Sequence, residues 1–297
     1  MNHVTVLKTE AVDQLSLDSA AKVADCTLGA GGHSNEILSR LGAKGHLVSF
    51  DADPSAIAAF QSTASETATA HTLVAKNFSH IAAVSTDLHI SSYDAILADL
   101  GWRSEQFESG NKGFSFLQDE QLLMTYGEPG EYAFTAFDVV NDWAEESIAD
   151  VIYGYGEERG ARLIAAAIVA ARKEGEIATS LQLAAIVESA VGTFYKRSKI
   201  HPATKTFQAL RIAVNDELGA LDTLLEDGFD LLAPGGRMAI IAFHSLEDRR
   251  VKQFFKGKAH DQAGVLVCKK PIVPSQEEVD SNPRARSAKL RVIERIV

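Results

Sequence analysis

The sequence predicts an α/β fold, a parallel sheet interrupted by an all-α insertion. Three observations carry this reading. Short apolar runs alternate with helical stretches from Lys22 to Leu100, a string of amphipathic segments without strands fills the middle, and an apolar strand returns at Met238 to Phe243. Alternation of this kind indicates parallel βαβ units.

The first apolar run, Lys22 to Asp25, leads into Asp25-Cys26-Thr27-Leu28-Gly29-Ala30-Gly31-Gly32-His33-Ser34. A glycine-rich turn between strand and helix lets a ligand come close to the backbone, because no Cβ stands in the way. Glu36 to Leu41 is free of helix breakers, and Gly42 stands where a left-handed C′ residue is wanted. A second strand, His46 to Phe50, ends in Asp51-Ala52-Asp53. This βαβ unit suits a nucleoside whose ribose hydroxyls donate to Asp51. A dinucleotide and S-adenosylmethionine both remain open on these residues, as does a purely structural turn. The dinucleotide fingerprint wants glycine or alanine where Ser34 stands, whereas a sulfonium nucleoside has no pyrophosphate to cradle.

Pro54 to Thr69 reads as a helix opened by proline, followed by a third strand at His71 to Ala75 and a fourth from Tyr93 to Leu100. From Arg103 to Gly130 the chain is aromatic and glycine-bearing without a clear period. Val139, Val140, Trp143, Ile148, Val151 and Ile152 mark one amphipathic helix, Glu157 to Lys173 a second, and Thr179 or Ser180 to Gly192 a third. Helices over Thr206 to Leu218 and Asp222 to Leu232 then lead through Ala233-Pro234-Gly235-Gly236-Arg237 into the late strand. The expected organisation is a core in two parts, 1–103 and 206–297, around a helical insertion at 104–205.

With 297 residues, 46% of them hydrophobic, the chain can build a full core. A net charge of −11 argues against nonspecific coating of nucleic acid. Two basic clusters stand against that balance: Lys196, Arg197, Lys199, Lys205 and Arg211, and Arg284, Arg286, Lys289, Arg291 and Arg295. Each is either a solvated face or a localised polyanion site. Nothing from Met1 to Leu17 reads as a signal peptide and no long apolar stretch occurs, so a cytoplasmic location is expected. Cys26 and Cys268 form no Cys-x-x-Cys and the nine histidines no His-Glu-x-x-His, so neither a disulfide nor a metal is expected.

Ligands of open parallel sheets gather at the carboxyl ends of strands. That rule selects Gly29 to His33, Asp51, Phe78, Asp99 to Gly101, and His244 to Asp248. Phe78 suits either an adenine ring or the core.

Three late blocks make a specific resemblance. His201-Pro202-Ala203-Thr204-Lys205-Thr206-Phe207-Gln208-Ala209-Leu210-Arg211-Ile212 with Asn215 and Glu217, Phe243-His244-Ser245-Leu246-Glu247-Asp248-Arg249, and Asn282-Pro283-Arg284-Ala285-Arg286-Ser287 closely resemble the bacterial ribosomal RNA small subunit methyltransferase H family. The likeness spans nearly the whole chain. It includes His3-Val4-Thr5-Val6-Leu7, the Gly-Gly-His turn, Asp53-Pro54, Gly113-Phe114-Ser115-Phe116 and Tyr155-Gly156-Glu157-Glu158-Arg159. It implies a class I (Rossmann-like) methyltransferase core with an inserted all-α domain for substrate recognition, and methylation of cytidine N4 in the decoding centre of 16S rRNA. It also implies S-adenosylmethionine bound by Gly31, Gly32, His33, Asp51, Phe78, Asp99 and Gln106, and a partner in 16S rRNA within the small ribosomal subunit. Two departures stand out. Leu100-Gly101-Trp102-Arg103-Ser104-Glu105-Gln106 replaces the family's Leu-Gly-Val-Ser-Ser-Pro-Gln, and Leu122 to Gly127 lacks the carboxylates and arginine of Leu-Asp-Met-Arg-Met-Asp. The second motivates an alternative, a catalytically weakened member that binds rRNA or the small subunit.

A cytosine N4 amine is a poor nucleophile because its lone pair is delocalised into the ring. In-line placement and a hydrogen-bond acceptor on the amine favour attack. Asp99 and the Leu100-Gly101 backbone are the catalytic candidates. An unstacked base calls for aromatic surfaces. Trp102 and Phe114 are candidates for that role, with His201, Lys205, Arg211, His244 and Arg249 to hold phosphates or orient the base. His244 and Glu247 equally fit an N-terminal helix cap.

Overall fold

The computed structural model describes residues 4–63, 68–101, 111–195 and 200–297. His3, Trp102, Gln106, Lys196, Arg197 and Lys199 lie outside the described residues. The chain divides into two compact units, 1–102 with 218–297, and 103–217.

In the first unit, α1 (Lys8–Leu15), β1 (Lys22–Asp25), α2 (Gly32–Arg40), β2 (His46–Phe50), α3 (Pro54–Thr63), β3 (Ala70–Val74), α4 (Ile81–Asp87) and β4 (Tyr93–Asp99) follow in order. The sheet has seven strands in the order β3-β2-β1-β4-β5-β7-β6, where β5 is Leu232–Ala242, β6 Gly264–Leu266 and β7 Lys289–Arg295. β1 to β5 pair in parallel, while β7 runs antiparallel to both β5 and β6. Side chains alternate between the two faces of the sheet. Ala24, Ile96, Ala98, Met238 and Ile240 enter one core, and Val23, Ala95, Leu97, Ala239 and Ile241 the other. Burial on both faces explains why these strands read as continuous apolar runs. Helix α2 contributes Ile37, fully buried beside Leu47 and Leu97, which stabilises the fold by about 1.5–3 kcal/mol.

Gly42 does not take the left-handed conformation expected of it. Leu41 ends α2 in an extended conformation, and Gly42 N–H donates to Ser19 O at 2.7 Å. Between Leu232 and Arg237 the register against β4 shifts at Pro234-Gly235-Gly236. Pro234 offers no N–H and Gly235 is left-handed at φ 80°, so the segment bulges before the strand resumes.

The second unit is helical: α5 (Ala136–Asp142), α6 (Glu145–Gly156), α7 (Ala161–Ala171), α8 (Ser180–Val191) and α9 (Thr204–Val214). The single amphipathic helix expected through Val139 and Ile152 is two. Trp143 is extended (ψ 156°), Arg172 Nη1 takes the Val140 carbonyl at 3.0 Å, and Glu145 and Glu146 open a fresh first turn. Glu157, expected to start the next helix, is left-handed and closes α6. Thr179 and Gln182 form a capping box on α8. α9 ends at Asn215, and left-handed Asp216 separates it from α10 (Glu217–Asp230). Thr204–Val214 therefore falls within the helical unit, which closes at Glu217. Among the described residues no helix is long and apolar enough to cross a membrane. The C-terminal part adds α11 (Ser245–His260) and α12 (Gln276–Ser281).

Candidate functional site

The glycine turn lies at the carboxyl end of β1, where strand order reverses between β2 and β4 and ligands of open α/β sheets collect. Gly29 and Gly31 have φ of 53° and 78°, conformations that L side chains rarely adopt. A Cβ on Gly31 would stand 2.3 Å from the Phe60 ring, and one on Gly32 would stand 1.7 Å from Thr5 Oγ1. Asp51 joins the turn directly: its Oδ2 accepts from Gly29 N at 2.9 Å and its Oδ1 from Asp53 N at 2.9 Å. A carboxylate is an acceptor with about four lone-pair sites, the chemistry that ribose hydroxyls call for.

Asp99 ends β4 beside the turn. Its N–H donates to Thr27 Oγ1 at 2.7 Å, and its Oδ2 lies 3.6 Å from Nδ1 of His33, a residue in the first turn of α2. Oδ1 of Asp99 is buried and accepts no hydrogen bond among the described residues. Burial raises the Asp99 carboxyl well above its ordinary range, and the charges of Asp25, Glu247 and Glu278 add to the shift. Gly101 follows with φ 128° and is exposed. Phe78 opens a short 3-10 turn past β3 and packs, partly buried, against the core.

Sequence reasoning missed the buried support of the turn. Asp25 is fully buried and accepts from Thr27 N at 3.1 Å and from Ser34 Oγ at 2.6 Å. Desolvation raises its carboxyl to about 6, against the lowering effect of those hydrogen bonds. The signal was present in Ser34 itself, a small polar residue where a dinucleotide fingerprint wants an apolar one.

His244 and Glu247 form the N-terminal capping box of α11. Glu247 Oε2 accepts from Phe243 N at 2.8 Å and from His244 N at 3.3 Å, while Glu247 N donates to His244 Nδ1 at 3.4 Å. Nε2 of His244 lies 3.1 Å from Glu247 Oε1 without hydrogen-bond geometry. Arg249 is exposed on α11.

The remaining candidates belong to the helical unit. Phe114 is buried and stacks on Tyr126 at 5.6 Å between ring centroids. His201 stacks on Phe116 at 4.6 Å, and its Nδ1 accepts from Ala203 N. Lys205 Nζ donates to Glu157 O at 3.0 Å. Arg211 is buried and pairs bidentately with Glu217 at 2.7 and 2.9 Å. That guanidinium is an internal strut.

The departing segment Leu122 to Gly127 is held from within the helical unit. Asn215 Oδ1 accepts from Tyr126 N at 2.9 Å, Asn215 Nδ2 donates to Met124 O at 2.7 Å, and Tyr126 Oη donates to Glu217 at 2.7 Å.

A seven-stranded sheet in this order, with a glycine turn after β1 and carboxylates ending β2 and β4, defines a class I, Rossmann-like methyltransferase core. The chain belongs to the MraW methylase family, whose family model matches residues 1–296. It is 43% identical to the ribosomal RNA small subunit methyltransferase H of Limosilactobacillus fermentum, over 99% of this chain and 98% of that protein. The proteins of that name from Desulfotalea psychrophila and Synechococcus elongatus are also 43% identical, over 99% and 100% of this chain and 98% and 95% of their own lengths. The resemblance carried by the late sequence blocks thus holds across the whole chain.

Proposed function

We propose that this protein transfers a methyl group from S-adenosylmethionine to the N4 amine of a decoding-centre cytidine in 16S rRNA. The observation that carries the reading is Asp99, a strand-end carboxylate with one buried oxygen that accepts no hydrogen bond among the described residues, set beside the left-handed glycine turn. Such a site fits a cationic nucleoside. The turn brings backbone close to the ligand, Asp51 serves the ribose hydroxyls, Phe78 the adenine, and the carboxylates favour positive charge. Gly31, Gly32, His33, Asp51, Phe78 and Asp99 are therefore assigned to the cofactor. Gln106, assigned with them by family resemblance, lies outside the described residues.

Bound there, the cofactor supplies an electrophilic methyl group on a sulfonium. Asp99, in its carboxylate form, would accept a hydrogen bond from the target amine and help its nitrogen pyramidalise, with the Leu100-Gly101 backbone alongside. It would also take up the proton that the amine loses on methylation, the thioether S-adenosylhomocysteine being the leaving group. The helical unit supplies RNA recognition through Lys205 and His201, and Arg249 and His244 serve the same substrate from the core. Phe114 and Arg211 act by holding the helical unit together. The small ribosomal subunit is the expected partner and the cytoplasm the expected location.

The altered segment Leu122 to Gly127 favours a second reading, a member that binds the cofactor and the subunit but transfers slowly. Calorimetry with S-adenosylmethionine followed by tritiated methyl transfer to unmodified small subunits separates the two. Binding with rapid labelling of 16S rRNA supports the first reading. Binding without transfer supports the second, and absence of binding overturns both.

A further inference from the structure

A buried polar chain runs from the glycine turn to the third strand. Ser34 Oγ donates to Asp25 Oδ2 at 2.6 Å, Ser34 and Ser49 hydroxyls are 2.8 Å apart, and Ser49 Oγ is 2.9 Å from His71 Nε2. Asp25, Ser34 and Ser49 are fully buried. The direction of the chain follows from donor counting. An ionised Asp25 only accepts, so the single Ser34 proton is committed to it. Ser49 must then donate to Ser34, and His71 must donate to Ser49 through Nε2–H. All three donors point toward the carboxylate under the turn.

The His71 ring makes a second connection to the same turn. It meets Phe60 edge-on at 5.4 Å, and Phe60 is the ring that leaves no room for a Cβ on Gly31. Burial depresses the His71 imidazole to about 4, with His46 adding to the shift, so the ring is neutral and can hold the donor tautomer at neutral pH.

We propose that His71 is a positioning residue for the cofactor turn, acting from the third strand through Ser49 and Ser34 on Asp25. The inference rests on the reading of the turn as the S-adenosylmethionine site. A leucine at 71 keeps apolar bulk against Phe60 but donates nothing, whereas glutamine restores a donor. Ser49→Ala cuts the chain in the middle and leaves both ends in place.

The test is calorimetric affinity for S-adenosylmethionine and S-adenosylhomocysteine, with thermal unfolding of the ligand-free protein as the fold check. Ser49→Ala and His71→Leu each weaken binding of both ligands about three- to tenfold, and His71→Gln binds within about twofold of the unaltered protein. The double variant Ser49→Ala/His71→Leu loses little more than the worse single variant, because both changes break one chain. Folded single variants that bind as the unaltered protein does, additive losses in the double variant, or a glutamine variant as weak as the leucine one each overturn the inference. If the unaltered protein binds neither ligand, the reading of the turn fails first and takes this assignment with it.

Discussion

The backbone N–H of Asp99 donates a 2.7 Å hydrogen bond to the Thr27 hydroxyl, so the end of the fourth strand hangs from the glycine turn of the first. Asp25 holds that turn from beneath through Thr27 N, and Asp51 holds it from the second strand through Gly29 N. Three strand ends are thereby fixed relative to one another, which is the arrangement a preorganised site requires.

Thr27→Val keeps the shape of the side chain and removes the acceptor. An orphaned N–H at this position costs about 1–3 kcal/mol, to be read by urea unfolding. Methyl transfer falls by more than cofactor affinity, because the displaced group is Asp99. Equal losses in the two would argue that Thr27 serves only the fold.

Asp99→Asn removes the basic oxygen while preserving size. Transfer falls by about a hundredfold or more, the range for loss of an acid-base group. The pH profile carries a further signature. Because burial raises the Asp99 carboxyl, its protonated form, a weaker acceptor and base toward the amine hydrogen, persists to higher pH than that of an ordinary carboxylate. Transfer by the unaltered protein rises with pH through that titration, and the asparagine variant is flat over the same range. Asp99→Ala abolishes transfer; full activity with normal cofactor affinity would remove Asp99 from the mechanism.

Asp25 and His71 make opposed contributions to the pH dependence of folding stability. The Asp25 carboxyl is raised from 3.8 to about 6, so the folded state binds more protons than the unfolded one between those values. Its contribution is greatest at low pH and is lost as pH rises to about 6. His71 is lowered from 6.5 to about 4, so the folded state there binds fewer protons, and stability is lost as pH falls from 6.5 toward 4. The two slopes oppose each other through that window. Asp25→Asn removes one slope, so its melting temperature relative to the unaltered protein becomes more positive as pH rises from 4 to 6. A constant difference across that range would show that Asp25 does not titrate in the folded protein.

Arg211 distinguishes an RNA contact from an internal strut. Its bidentate pair with Glu217 is buried, and Arg211→Ala leaves that carboxylate without its guanidinium at a cost of about 3–5 kcal/mol. Arg211→Lys does not restore the two-pronged geometry. Equilibrium unfolding therefore shows a large loss for both variants. A fully stable alanine variant with weakened subunit binding would return Arg211 to the RNA surface.

Much of the first unit was legible because its chemistry is local. Asp25 to Ser34 gives the turn, Asp51 and Asp99 give two carboxylates at strand ends, and alternation gives a parallel sheet of β1 to β4. Strands β6 and β7 went unseen, since antiparallel pairing such as Arg237 with Glu294 joins residues distant in the chain. The split at Trp143 was hidden because apolar spacing continues unbroken through both helices. Its cause is tertiary, a guanidinium from Arg172 on the Val140 carbonyl. The buried chain to His71 was illegible for the same reason: Ser34, Ser49 and His71 share no motif, and only the pairing of β2 with β3 brings the last two together.

Methyl transfer to the N4 amine of cytidine in small-subunit rRNA leaves its mark in the nucleoside itself. Its most direct test is mass-spectrometric nucleoside analysis of 16S rRNA from unmodified small subunits, before and after incubation with the protein and S-adenosylmethionine. N4-methylcytidine is expected to appear in a decoding-centre fragment, and to be absent with Asp99→Ala. Methylation of a different nucleoside, or of ribosomal protein with the rRNA unchanged, would contradict it.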